Sequence, residues 1–284
     1  MQLWRTLVWA ILLSGVGLPV AFAQGQAQER KALRVCADPN NVPFSNTKGE
    51  GYENKLAELF AKSMGLPLEY YYLPQRMNFV RNTLRNKLPG SDYPCDIMLG
   101  VPTGFDQVSV TKPYFRSTYA LVFSPGKGLD GVNSEQDFLA LPQEKLRSLR
   151  IGVYDREPSS LWLVRHKLVD QGVPYHTLNA DADWYPGQII DRELAQGKID
   201  VAIVWGPIAA YFVNQSKSVP LRLVLLKSEK DVPLSFEVAM GVRYGEKEWK
   251  DQIEKLIESN KPAITAILKD YGIPLVDANG EPIK

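Results

Sequence analysis

Two histidines and two cysteines in 284 residues are a thin supply for catalysis. His166 stands between Arg165 and Lys167, a pattern that suits a solvated helix face, and His176 follows Tyr175 in the segment beyond. Neither has a cysteine, a second histidine or a carboxylate at ligand spacing, so no zinc or non-haem iron site is expected. A Gly-x-Ser-x-Gly elbow, a glycine-rich phosphate loop and a dinucleotide fingerprint are all missing. A hydrolase or lyase therefore lacks its residues, and the chain reads as a non-enzyme. Excess charge is missing too: 33 Lys and Arg face 32 Asp and Glu. Nucleic acid and anionic membranes both select a basic face, and Lys48, Lys55, Lys62 and the 81–87 segment are too scattered to make one. Beyond the N-terminus no apolar run approaches the ~20 residues of a membrane span.

What is present starts with an export signal at residues 1–23. Arg5 supplies the positive region, Leu7 to Leu13 the apolar stretch, and Ala21-Phe-Ala23 the cleavage site. Ser14, Gly15, Gly17 and Pro19 break the run before it could anchor. The mature chain then starts near Gln24, in the periplasm, and loss of Arg5 brings the net charge from +1 to 0. Export into an oxidising compartment permits a Cys36–Cys95 disulfide; two buried thiols acting as small hydrophobes are the alternative.

Apolar strands alternate with amphipathic helices along the rest. Leu33–Ala37, Leu68–Tyr72, 96–100 and 119–123 read as strands, with helices at 51–64 and 77–88 between them. Residues 125–128, Pro-Gly-Lys-Gly, read as a linker. The rhythm restarts at 150–153, with helices at 134–141, 160–171, 188–196 and 207–213 and strands at 199–204 and 222–226. A strand at 238–242 and helices at 246–258 and 261–270 close the chain. Such alternation implies parallel βαβ units. The expected fold is α/β in two lobes, residues 24–123 with 236–284 and residues 124–235, joined by crossings near 123–129 and 226–236.

Four stretches carry more specific wording: Cys36-Ala-Asp-Pro-Asn-Asn41 with Pro43-Phe-Ser-Asn46, Gly51-Tyr-Glu-Asn-Lys-Leu56, Cys95-Asp-Ile-Met-Leu-Gly-Val-Pro102, and Thr111-Lys-Pro-Tyr-Phe115. They resemble the cluster 3 periplasmic solute receptors, whose ligand cleft lies beyond the carboxyl ends of such strands. More narrowly they resemble the MoxJ/XoxJ-type (MxaJ) proteins that accompany quinoprotein methanol dehydrogenases, over roughly residues 33–276. The resemblance implies a type II solute-binding fold without catalytic residues. It also implies a periplasmic accessory role in assembling or activating a pyrroloquinoline-quinone (PQQ) methanol dehydrogenase. The implied partners are that enzyme, its metal-free form included, and its cytochrome c.

Departures from the receptor pattern agree with that role. Cluster 3 receptors hold an amino-acid carboxylate with an Arg three residues after a Thr, a planar fork suited to bidentate pairing. Here Thr103-Gly-Phe-Asp106 puts an acid there. The receptor Asp that pairs with the ligand ammonium is replaced by Trp205, and the lobe-2 Gly-Thr-Thr anion cradle reads Asp155-Arg-Glu-Pro-Ser-Ser160. A free α-amino acid is thus not the expected ligand; an importer receptor for another small polar solute is the competing reading. Asp38, Phe44, Tyr52, Phe105, Asp106, Tyr154, Trp184, Tyr185 and Trp205 form the expected cleft surface, with the lobes standing apart around a wide groove. Aromatics with hydrogen-bonding tips suit interfaces, although Phe44 and Tyr52 could equally be core packing. Asp181-Ala-Asp183 with Asn179 could gather a hard cation, but reads better as a polar loop.

Overall fold

The computed structural model describes residues 30–283 except 76, 88, 178–180, 182 and 218. The export signal therefore lies outside the described residues, as do Asn179 and Ala182 of the acidic loop.

Strand β1 (Leu33–Ala37) divides its side chains between two faces. Leu33, Val35 and Ala37 enter a core with Phe60 and Met240, while Cys36 enters a second core with Phe79, Leu84 and Cys95. Helix α1 (Tyr52–Met64) follows, burying Tyr52, Leu56 and Phe60 at helical spacing and ending on left-handed Gly65. Its entry is tight. A Cβ on Gly51 would stand 1.9 Å from the Phe44 carbonyl, so only glycine lets the 38–46 loop lie on the helix start. Strands β2 (Leu68–Tyr72) and β3 (Ile97–Pro102) flank β1 in parallel. Between them the helix expected at 77–88 shrinks to α2 (Phe79–Asn82). Asn78 enters it left-handed at φ 67°, and the Thr83 hydroxyl bonds back to the Phe79 carbonyl at 2.7 Å, closing the single turn.

The two lobes share one strand. The first half of β4 (Phe115–Phe123) runs antiparallel beside β9 (Ser235–Val242), pairing Phe115 with Val238 and Thr118 with Ser235. From Tyr119 onward it pairs with β7 (Val201–Trp205) on one side and β8 (Arg222–Leu225) on the other. The pairing partner of β4 thus changes between Thr118 and Tyr119, inside a strand, a few residues before the linker at 125–128. The Thr118 hydroxyl donates to Leu226 O at 2.6 Å, tying this point to the end of β8, where the return crossing begins.

In the second lobe α3 (Glu135–Leu139) and α4 (Gln143–Ser148) precede β5 (Ile151–Tyr154), which lies parallel to both β7 and β6 (Gly172–Tyr175). Helix α5 (Pro158–Arg165) is shorter than expected, because Lys167 turns left-handed at φ 58°. The 188–196 helix is a π-helical segment, Ile189–Leu194. Helix α6 (Gly206–Gln215) covers the sheet from β7, and α7 (Lys247–Ser259) and α8 (Lys261–Asp270) return to the first lobe against Phe60 and Ile97. The strand order β2-β1-β3-β9-β4-β7-β5-β6 therefore runs continuously through both lobes. Among the described residues no helix is long and apolar enough to cross a membrane.

Candidate functional site

The loop Asp38–Asn46, at the carboxyl end of β1, is built by short-range polar contacts. Asp38 accepts from the Asn40 amide at 2.8 Å and from the Gln75 amide, while Ser45 Oγ donates to its carbonyl at 2.9 Å. Asp38 thus shapes the turn that carries Val42 and Phe44 outward. Both reach across to the second lobe, packing on the core of Tyr154, Ile190 and Phe212. Phe44 also touches the first-lobe core, its ring 5.6 Å from that of Tyr52. The lobes therefore meet here instead of standing apart around a wide groove.

Trp205 closes the same space from the other side. It lies at the carboxyl end of β7, half-buried, and packs on three cores at once. Its ring sits edge-on to Tyr119 at 5.5 Å and to Phe236 at 6.0 Å. A receptor would present a carboxylate here; this chain presents an indole wedged at the point where β4 changes lobes.

Several expected cleft residues do other work. Tyr52 is 0 % exposed and belongs to the first-lobe core. Tyr154, 3 % exposed, points its hydroxyl at the Pro186 carbonyl, 2.6 Å away. Both follow from position: each begins or ends an element at the lobe centre, where an aromatic ring has no path to solvent. Phe105 packs on the cluster around Cys36, Cys95 and Val108, on the sheet face away from Phe44 and Trp205. Asp106 is exposed, and Tyr244 donates to its carbonyl at 2.8 Å. The turn after β3 explains both, since Gly104 at φ 87° carries the chain round to that face.

Trp184 and Tyr185 stay near the surface. Trp184 stands edge-on to Tyr154 at 6.1 Å. Tyr185 stacks on Phe212 at 5.9 Å and bonds to Asp191. With Val42, Tyr211 and Leu221 it lines a cavity of about 540 Å³ at the lobe contact, within the size range of small-ligand pockets.

Two carboxyl groups complete the site, and neither was among the expected residues. Glu53, in the first turn of α1, lies against Gly100: a Cβ there would come 2.1 Å from its Oε1. Burial, with Asp38 adding repulsion, pushes Glu53 up to about 8. Glu157, at the start of α5, accepts from the Tyr119 hydroxyl at 3.1 Å. Burial raises it to about 7, against the lowering effect of that hydrogen bond. The replaced anion cradle, Asp155-Arg-Glu-Pro-Ser-Ser160, was the available signal for Glu157. The Cys36–Cys95 disulfide is formed, with Cα atoms 5.3 Å apart, beneath the first-lobe sheet.

This architecture is that of a two-lobed periplasmic solute-binding protein, altered at the charge-reading positions of its cleft. An ancestral cationic amino acid solute-binding protein shares the fold at 16% identity, with a TM-score of 0.63 over 85% of this chain and 95% of that one. The crystal structure of the periplasmic binding protein XoxJ from Methylobacterium extorquens AM1 is 36% identical. It covers 87% of this chain and 100% of its own, with a TM-score of 0.68. Protein MoxJ of Paracoccus denitrificans is 29% identical over 272 residues, 92% of this chain and 95% of that protein. The chain belongs to the MoxJ/XoxJ-type family of solute-binding-like proteins. No protein-family model matches it.

Proposed function

We propose that this protein is a periplasmic, non-catalytic accessory factor that binds, assembles or activates a PQQ-dependent methanol dehydrogenase. The observation that carries this reading is the substitution of both zwitterion-reading positions. Asp106, exposed, stands in the place of the carboxylate clamp, and Trp205 fills the place of the ammonium partner. Glu157, in the stretch that replaces the receptor anion cradle, adds a further acid. Family membership supports the same conclusion, since the chain matches XoxJ and MoxJ over almost its whole length.

The partner surface is the rim of the lobe contact, where Val42, Phe44, Trp184 and Tyr185 stand half-buried. Rigid aromatics of this kind bury large areas at low entropic cost and act as central anchors. Rotation within β4 would open the rim for a dehydrogenase segment. The test is co-purification of the mature protein with the cognate dehydrogenase, in metal-free and metal-loaded forms, with the enzyme's cytochrome c present or absent. Association with either form, or restored activity, supports the reading. If no form associates and no activity returns, a receptor for a small polar solute takes its place.

A further inference from the structure

The second lobe brings together three potential metal ligands from distant parts of the chain. Glu135 opens α3, His166 caps α5, and Glu229 lies between β8 and β9. One carboxylate oxygen from each glutamate and one imidazole nitrogen all lie within 4.8 Å of one another. Local spacing around His166 gives no hint of this, because each partner arrives through the fold. The histidine is not on a solvated face: its ring packs against Trp162 at 4.5 Å.

One acid in this cluster has no ion-pair partner. Glu135 is only 6 % exposed, yet its oxygens accept from two neutral donors, Trp162 Nε1 at 2.6 Å and the Lys227 amide at 3.3 Å. Among the described residues it has no ion pair within 4.0 Å. A buried carboxylate without a positive partner is unfavourable by several kcal/mol. Glu229 accepts His166 Nε2 at 2.6 Å and pairs with the exposed Arg165 at 3.4 Å.

We propose that Glu135, His166 and Glu229 bind a divalent transition-metal cation of the zinc class. A nitrogen and two carboxylate oxygens suit such an ion, with a fourth position for water. Metal–ligand bonds of about 2.0–2.2 Å in a tetrahedral site would replace the 2.6 Å hydrogen bond between His166 and Glu229 with two bonds to the ion. Glu229 is held in a tight turn by paired backbone hydrogen bonds with Val232, so the adjustment falls to its side chain. The Trp162 indole N–H stays on Glu135 and orients the carboxylate, as outer-shell donors do. Bound metal would pin α3 and α5 to the connection that returns the chain to the first lobe. The site is separate from the lobe contact and does not depend on the dehydrogenase reading.

The test is titration of chelator-treated mature protein with Zn²⁺, followed by calorimetry and thermal melting. One ion per chain is expected, with a Kd of about 10 μM or tighter and a raised melting temperature. His166→Gln and Glu229→Gln, both at half-buried positions, should each weaken binding by about tenfold or more and abolish the thermal shift. Circular dichroism of these variants checks that the lobe is folded. His176→Gln, at the exposed Asp155 pair, should change neither. No saturable binding, or binding that survives both His166→Gln and Glu229→Gln, overturns the assignment. Loss of binding in His176→Gln would place the ion at Asp155 and overturn it equally.

Discussion

Tyr119 donates its hydroxyl hydrogen bond to Glu157 at 3.1 Å, linking the strand that changes lobes to the start of α5. The same tyrosine ring lies edge-on to Trp205 and to Phe236. One side chain thus ties the crossover, the substituted receptor position and a buried acid. Any rotation between lobes must act on this set, because Tyr119 is the first residue of β4 that pairs with β7.

The first prediction concerns pH. Burial raises Glu53 to about 8 and Glu157 to about 7, above the ordinary 4.5 of the unfolded chain. Between those values the folded state holds more protons than the unfolded one, so stability falls as pH rises. The contribution is complete below about pH 4.5 and is lost by about pH 7 for Glu157 and pH 8 for Glu53. Stability from thermal melts should therefore fall by several kcal/mol, on the order of 5–7, between pH 5 and pH 8. Glu157→Gln should flatten that slope. A slope unchanged in Glu157→Gln and Glu53→Gln would remove both groups as its source.

A second prediction rests on Asp96, 1 % exposed and paired with Arg34 at 2.8 Å and Arg243 at 2.6 Å. Arg243 is itself buried and donates to the Leu84 and Cys95 carbonyls. Asp96→Ala leaves the buried Arg243 guanidinium with only the half-buried Glu246 as counter-charge, which costs about 3–5 kcal/mol. Urea unfolding should show that loss in midpoint, with the slope unchanged. A loss under about 1 kcal/mol would mean that Glu246 alone compensates Arg243.

The third concerns the Cys36–Cys95 bridge, which closes a loop 59 residues long in separation. Mature protein should show no free thiol under denaturing conditions. Cys36→Ala with Cys95→Ala should lower stability by about 2–5 kcal/mol. Two titratable thiols per chain would contradict the bridge.

Much of this architecture is legible in the sequence because apolar periodicity carries it. Leu68–Tyr72 and Lys261–Asp270 have the expected limits, and α1 differs by one residue at its start. The errors lie where long-range contacts decide. Strand β4 starts at Phe115, earlier than its apolar 119–123 run suggests, because β9 supplies a partner for Phe115–Thr118. Tyr52 and Tyr154 carry cleft-like side chains, but the sequence does not show which rings the lobe centres absorb. Phe105 follows a family motif in order, yet after the turn at Gly104 it packs on the far face. Glu53 carries no signal in the sequence, because an acid in a helix's first turn ordinarily serves the helix dipole. Its burial against Gly100 exists only in three dimensions.

A fourth prediction follows from the substituted receptor positions. Calorimetry against the twenty standard amino acids should give no heat of binding, since neither zwitterion charge finds its usual partner in the cleft. A micromolar ligand among them would show that Glu157, Glu53 and the aromatic wall recognise an amino acid by another arrangement, and would favour the receptor reading.

The last prediction separates Trp184 from Trp205, which the sequence offers as equivalent anchors. Trp205 is held by Tyr119, Phe236 and three cores, so Trp205→Ala removes packing and should cost about 3–5 kcal/mol of stability. Its effect on partner binding is then mixed with loosened lobes. Trp184 rests on Tyr154 alone among the aromatic rings described around it, at the rim. Trp184→Ala should therefore leave the melting temperature nearly unchanged while weakening association with the dehydrogenase by about thirtyfold, the loss of one central anchor of about 2 kcal/mol. Binding measured by surface immobilisation alongside thermal melts resolves the two effects. If Trp184→Ala binds like wild type while Trp205→Ala unfolds, the rim is not the partner surface. The dehydrogenase contact must then be sought on a face away from the lobe junction.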